Sequence, residues 1–473
     1  MGKTTIAYTL ARRFEFTGAP SNTVILGGNF FCSRQFEETK RSKCIIRTIA
    51  YHLALACQPF ADVLKFDVVY RGPKAQVHGL LVEPWKASEA ARLADPSSPP
   101  YFLVIIDALD EIEAEGGAEF LRALFDVLNE SQLRGLKFFA TSRLNPDLVE
   151  RVYSFEQKAL YRLQDVGKQE AWHDVRTFLA AELPHLAGRD ELGALAGMAD
   201  GLFIHAATVA RYVAECESPA EQEEILEKIL SVSHRTVSEP SMEDTRVLDE
   251  LYLQILAEAF GKARNEVIRN RRLQILHTFL CTAERTSAAL AANLLSNSND
   301  RRSYLDGATV ILKALHAVLY VEGGRVLSYH KSFSDFLFNQ SRSGGFWCDQ
   351  EIHHRLLTES CFRLMATQLQ FNIANIASSF TLDRDNVALK TEIEQNISPA
   401  LAYSCRYWSH HISAVGWTDF DQPRQALSTF LQLPALFWME AMNLLQRLGQ
   451  CDEMLRAVAN WVREVSIVLA ITI

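Results

Sequence analysis

Long apolar runs are missing from this 473-residue chain, and the apolar tail Val465–Ile473 is too short for the ~20 residues a membrane-spanning helix needs. No span is expected. Met1-Gly2-Lys3-Thr4-Thr5 opens no charged region followed by an apolar stretch, so no secretory signal peptide is expected either. Dense basic blocks are absent as well. Lys and Arg number 48 against 57 Asp and Glu, a net charge of −9, and short clusters such as Arg269-Asn270-Arg271-Arg272 read as solvated helix faces. Such a balance excludes non-specific nucleic-acid binding as a leading function. No Cys-x-x-Cys pair occurs. The nine cysteines are odd in number and irregular in spacing, which argues for reduced thiols in a cytoplasmic protein over a disulfide framework or a zinc site. No repeat of 33–47 residues is found.

What is present is ordinary globular material, 48% hydrophobic and 22% charged. Its length suggests about three domains. The first third alternates strand and helix. Thr4–Phe14 reads as a helix and Thr23–Phe31 as a buried strand with a bulge at Gly27-Gly28. Cys44–Cys57 reads as a helix, and residues 59–100 as irregular, ending in the breaker Asp95-Pro96-Ser97-Ser98-Pro99-Pro100. Tyr101–Ile106 has the continuous apolar character of a strand buried on both faces. Leu121, Leu124, Phe125 and Leu128 line one helix face, and Leu136–Ala140 is another short strand. This rhythm indicates a parallel α/β sheet.

After about Leu163 the pattern is mostly helical, with a stripe at Leu248, Leu251, Ile255, Leu256 and Ala259. Helices near 272–281, 286–295 and 303–316 precede two β-rich runs joined by Glu322-Gly323-Gly324-Arg325, a hairpin signal that suggests a winged helix. Ser332 is expected to cap the next helix with Asp335 as capping-box acid, and Ser341–Gly345 reads as a linker. Leu401, Cys405, Trp408 and Ile412 share a face in the helical tail. His353-His354 and His410-His411 are adjacent pairs on helices; helix neighbours face apart, so no metal site is expected of them.

Three short segments carry chemistry. Gly2-Lys3-Thr4 matches the end of the phosphate-binding loop G-x-x-x-x-G-K-[ST], in which backbone N–H groups and the Lys hold phosphates and the hydroxyl holds Mg²⁺. A tripeptide alone is as readily a coincidence. Asp107-Ala108-Leu109-Asp110-Glu111 follows the buried strand, where a carboxylate beside such a loop holds Mg²⁺. Asp107 would hold the metal through water, and Asp110 or Glu111 would polarise an attacking water. A solvated helix cap is the structural alternative. Thr141-Ser142-Arg143 ends the next strand, where Arg143 is placed to sense a terminal phosphate or to lie on the surface.

In order, Phe30-Phe31-Cys32-Ser33-Arg34, Asp107–Glu111, Thr141-Ser142-Arg143, Gly201-Leu202-Phe203-Ile204 and His330–Leu337 resemble the NACHT NTPases of mushroom-forming fungi, also described as having nephrocystin-3-like N-terminal domains. The resemblance covers roughly residues 1–420. It implies a STAND-class switch: an α/β P-loop domain (1–163), a helical domain (164–262), a winged helix (263–342) and a helical extension (346–473). It implies slow hydrolysis of ATP or GTP with Mg²⁺, protein partners and self-oligomerisation. Gly2, Lys3, Thr4 and Thr5 would bind phosphate, and Asp107 with Thr4 the Mg²⁺. Arg143 would be the phosphate sensor, and His330 would touch the β-phosphate of a bound diphosphate. Phe203 stands where related chains often have a proline against the base.

The first four loop positions and the preceding strand are absent from the chain as written, so weak or no nucleotide binding is expected of it. Either an internal Met was taken as the start, or a short form serves as a non-catalytic partner. Two other functions stay open: a nucleotide-independent scaffold, and DNA binding through the winged helix, against which the acidic balance argues.

Overall fold

Every expected strand of the first third forms, and all three join one parallel sheet. The computed structural model describes residues 2–15, 24–36, 38–65, 72–94, 101–112, 116–130, 133–142, 168–214, 216, 218–232, 246–261, 265–296, 300–377, 386, 388–416 and 421–472. They divide into two units, 1–174 with 200–203, and 175–199 with 204–473.

In the first unit β1 (Val24–Phe31), β2 (Tyr101–Asp107) and β3 (Leu136–Ala140) lie in the order β1-β2-β3, all parallel. Side chains alternate across a strand. Phe102, Val104 and Ile106 therefore face one way, into a core with α2 (Ser42–Ala56) and α3 (Gly116–Glu130). Leu103 and Ile105 face the other way, against Ala7 and Ala11 of α1 (Lys3–Phe14). The expected bulge is present, with the β1–β2 register shifting between Leu26 and Gly28. Gly27 is required there, because a Cβ would stand 2.7 Å from Leu53 Cδ2 of α2.

Residues 59–100 differ from the irregular reading. Short helical turns run from Gln58–Ala61 and from Pro73–Val77 through Glu89–Ala94, and Leu80, Leu81, Val82 and Trp85 are fully buried in the core. Pro73 sits in a first helical turn, where a missing N–H costs nothing, and Pro84 directly follows the π-helical turn His78–Val82.

Among its described residues the second unit is helical apart from one hairpin. Its helices are α5 (Asp190–Met198), α6 (Phe203–Ala214), α7 (Pro219–Val232), α8 (Arg246–Gly261), α9 (Glu266–Cys281), α10 (Ala288–Leu295) and α11 (Arg301–Ala314), with α4 (Lys168–Glu182) leading in. An antiparallel hairpin, β4 (Leu319–Glu322) and β5 (Arg325–Ser328), follows α11 and turns at Gly323 and Gly324, both left-handed. Then come α12 (Lys331–Leu337), α13 (Gln350–Gln368), α14 (Pro399–Ser413), α15 (Asp421–Phe430), α16 (Pro434–Leu444) and α17 (Cys451–Thr472). Trp408 of α14 centres the core, touching Phe362, Phe430 and Trp438. No helix among the described residues is long and apolar enough to cross a membrane.

Three readings of this half are corrected. The cap of α12 is His330, whose Nδ1 accepts the Ser332 N–H at 3.1 Å, because the helix begins two residues earlier than a Ser332 cap would allow. Residues 341–345 are folded, not a linker: Arg342 makes a two-pronged ion pair with Asp249 at 2.6 and 2.8 Å, and Ser343 is fully buried. Finally, histidines that face apart within each helix meet between helices. His354 Nδ1 of α13 lies 2.9 Å from His411 Nδ1 of α14.

Candidate functional site

Asp107 continues the alternation Leu103, Ile105, Asp107, so its carboxylate emerges on the α1 side of the sheet, just where β2 ends. On α1, Thr4 precedes Ala7 and Ala11 at spacings of three and four, which puts it on the same helix face, one turn beyond the packed alanines. The two meet. Thr4 Oγ1 donates to Asp107 Oδ2 at 2.7 Å, across 103 residues of sequence.

A second hydroxyl holds the other carboxylate oxygen. Thr141 Oγ1, next after β3, donates to Asp107 Oδ1 and accepts the Ala108 N–H at 2.9 Å. Its backbone joins in: Thr141 N–H donates to Ile106 O at 2.9 Å, and Leu109 N–H donates to Thr141 O at 3.0 Å. These bonds hold Ala108 at φ 54, a left-handed conformation unusual for a residue with a Cβ. Asp107 is 2% exposed yet bonded at both oxygens. A carboxylate so placed stays fixed in direction.

Strand register sets the rest. Phe31 is opposite Asp107, so the chain leaving β1 runs beside the acidic turn. Cys32 N–H donates to Asp107 O, Arg34 N–H to Glu111 Oε2 at 3.3 Å, and the Arg34 guanidinium to Asp110 O at 3.0 Å. Burial, and then the charges of Asp107, Glu111 and Asp110, push the Cys32 thiol far up, so it stays protonated. The helix after the turn is held close: a Cβ on Gly117 of α3 would stand 2.4 Å from Leu109 O.

The structure thus brings together Thr4, Asp107, Thr141 and the turn carrying Asp110 and Glu111. Gly2 caps α1, its carbonyl accepting the Ile6 N–H, with Lys3 half-buried and Thr5 exposed on the first turn. Arg143 lies outside the described residues. Gly201 turns at φ 77 into α6. His330 belongs to the second unit, where Tyr252 Oη, Ser332 Oγ and His330 Nδ1 are linked at 2.7 and 2.6 Å. Since Nδ1 also accepts a backbone N–H, a neutral ring carries its proton on Nε2. Sequence reasoning missed Thr141 as the second clamp on Asp107 and Arg34 as the partner of the acidic turn. The signal for both was parallel pairing, which sets the residues after β1 and β3 beside those after β2.

Hydroxyl and carboxylate oxygens are hard donors, and one Thr with one Asp at a helix start is a donor set that suits Mg²⁺, which keeps most of its waters. The residues present therefore fit that ion.

Residues 1–143 match the family model "Nephrocystin 3, N-terminal". That match lies in the amino-terminal third of the chain, which is similar to such a domain. The chain is also 23% identical over 383 residues to the vegetative incompatibility protein HET-E-1 of Podospora anserina, covering 76% of this chain and 26% of that protein. The chain thus spans about a quarter of the length of that relative. Both support the NACHT-like resemblance carried by the motifs.

Proposed function

We propose that this chain is the nucleotide-binding core of a NACHT-type signalling switch, taking ATP or GTP with Mg²⁺ where α1 meets the end of β2. The observation that carries the reading is the Thr4–Asp107 hydrogen bond of 2.7 Å. A hydroxyl after Gly-Lys and a buried strand-end carboxylate are the two protein groups such a metal needs, and here they touch. In this reading Gly2 and Thr5 offer backbone N–H groups at the start of α1, and Lys3 neutralises the terminal phosphates. Thr4 and Asp107 would hold Mg²⁺, which when bound would neutralise phosphate charge. Asp110 or Glu111 orients water, and Arg143 senses charge, as in a slow nucleoside triphosphatase.

The three helices and hairpin of residues 266–328 support a winged helix within the four-part division 1–163, 164–262, 263–342 and 346–473. An Nε2–H on His330 is the group such a histidine offers a phosphate. Likeness to a vegetative incompatibility protein supports signalling through protein partners and self-association, and nine free thiols support a cytoplasmic setting.

Titrating the protein with fluorescent ADP and ATP, with and without Mg²⁺, tests the reading. Lys3→Ala is expected to weaken binding by roughly a hundredfold, about the loss of one charge-assisted phosphate contact in a dry site. Thr4→Ala is expected to remove the Mg²⁺ dependence. Nucleotide binding indifferent to Lys3→Ala and to Mg²⁺ rejects the switch and leaves the nucleotide-independent scaffold.

A further inference from the structure

A buried histidine cluster joins two helices of the second unit. His354 Nδ1 on α13 and His411 Nδ1 on α14 point at one another at 2.9 Å, and both rings are buried. His410, next on α14, is exposed, with its ring centroid 5.6 Å from that of His354 and 5.2 Å from that of His411. One nitrogen from each of the three rings falls within 4.8 Å of the other two. On its other side His411 Nε2 meets the Tyr403 hydroxyl at 2.8 Å, and that oxygen accepts the Ala283 N–H at 3.0 Å.

We propose that His354, His410 and His411 form a three-imidazole site for a divalent transition-metal ion of the Zn²⁺ class, which ties α13 to α14.

Imidazole nitrogen is the preferred donor for Zn²⁺, Cu²⁺ and Ni²⁺, not for Mg²⁺ or Ca²⁺, so the site is distinct in chemistry from the carboxylate of the first unit. Zn–N bonds of about 2.0–2.1 Å in a tetrahedral arrangement separate two ligand nitrogens by roughly 3.3 Å. The 2.9 Å between the Nδ1 atoms needs to open by only a few tenths of an ångström. Binding through both Nδ1 atoms requires the ring that carries its proton on Nδ1 to take it on Nε2 instead, a change of tautomer through solvent, so two neutral imidazoles bind with no net proton released. Burial, with a contribution from His410, holds His354 down at about 4 and His411 well below its ordinary range, so both rings are neutral at pH 7. With Nδ1 on the metal, His411 carries its proton on Nε2 and donates it to Tyr403, the outer hydrogen bond that orients a metal-bound imidazole. Exposed His410 supplies the entry path and leaves a fourth position to water.

Chelator-treated full-length protein is titrated with Zn²⁺ by calorimetry and with Co²⁺ by visible absorption, and its melting is followed with and without Zn²⁺. One equivalent is expected to bind, with a rise in Tm that EDTA reverses. His410→Ala alters an exposed side chain and is expected to fold, yet to weaken Zn²⁺ binding at least tenfold. Tyr403→Phe is expected to weaken it by a smaller factor. His185→Ala, at an exposed histidine elsewhere in the second unit, is expected to change nothing. Absence of a Zn²⁺-dependent Tm shift, binding unchanged by His410→Ala, or an equal loss in His185→Ala overturns the proposal. Nucleotide binding plays no part in these readouts, so failure here leaves the switch reading intact.

Discussion

The two units bury polarity in opposite ways. In the first, the buried ionisable group at the site is a carboxylate, Asp107, held between two threonine hydroxyls at the end of a strand. In the second, beside the ion-paired carboxylate Asp249, four imidazoles are buried: His205, His353, His354 and His411 are all at most 9% exposed. A carboxylate keeps its charge inside by accepting hydrogen bonds, whereas a histidine enters the core by giving its charge up. In the proposed reading the first unit holds a cation at that carboxylate. The other is prepared to stay neutral, and so depends on pH.

The largest expected effect comes from acid. Burial lowers His205 from 6.5 to about 4 and His353 to about 3. Their folded values lie below their unfolded ones, so between those limits the unfolded chain binds more protons. The contribution is full above pH 6.5 and is lost as pH falls toward 4. His205 alone is worth on the order of 3 kcal/mol across that window. Hydrogen exchange read by mass spectrometry should show peptides from residues 204–472 losing protection from pH 6.5 to 4 before those of β1, β2 and β3. Simultaneous loss in both units would erase the contrast.

A smaller effect is expected of Thr141→Val. It leaves the Ala108 N–H without its acceptor and Asp107 with one hydroxyl, costing about 1–3 kcal/mol. Protection should fall in β2 and β3 alone, and Thr141→Ser should restore it. If the loss spread into α13 and α14, the units would not be energetically separate. Smallest is the response of Cys32, whose thiol is buried and surrounded by carboxylates. Under native conditions iodoacetamide should modify half-buried Cys44 roughly tenfold faster, and protein stability should not change. Rapid labelling of Cys32 would mean that the acidic turn opens.

Much of this was legible in the chain, because the signals were local. Six apolar residues before Asp107 announce a strand buried on both faces, and Gly323-Gly324 between two β-rich runs announce a hairpin. The Gly-Lys-Thr and Asp motifs could be named separately on residue type and neighbours alone. The failures were just as consistent. Residues 59–100 looked irregular because their helical turns are short and punctuated by proline, although Pro59, Pro73 and Pro84 all stand within helical turns. Ser341–Gly345 looked like a linker because its composition is small and polar, while its order comes from Asp249, 93 residues away.

Sequence alone therefore determined the elements, the strand ends and the residue types that could bind phosphate, a metal or nothing, since period and composition act over one or two turns. Only the tertiary structure decided that Thr4 reaches Asp107, that Thr141 grips its other oxygen, and that His354 opposes His411. Each of those pairs joins two elements far apart in the chain, and their meeting depends on strand order and helix packing, which no local pattern encodes.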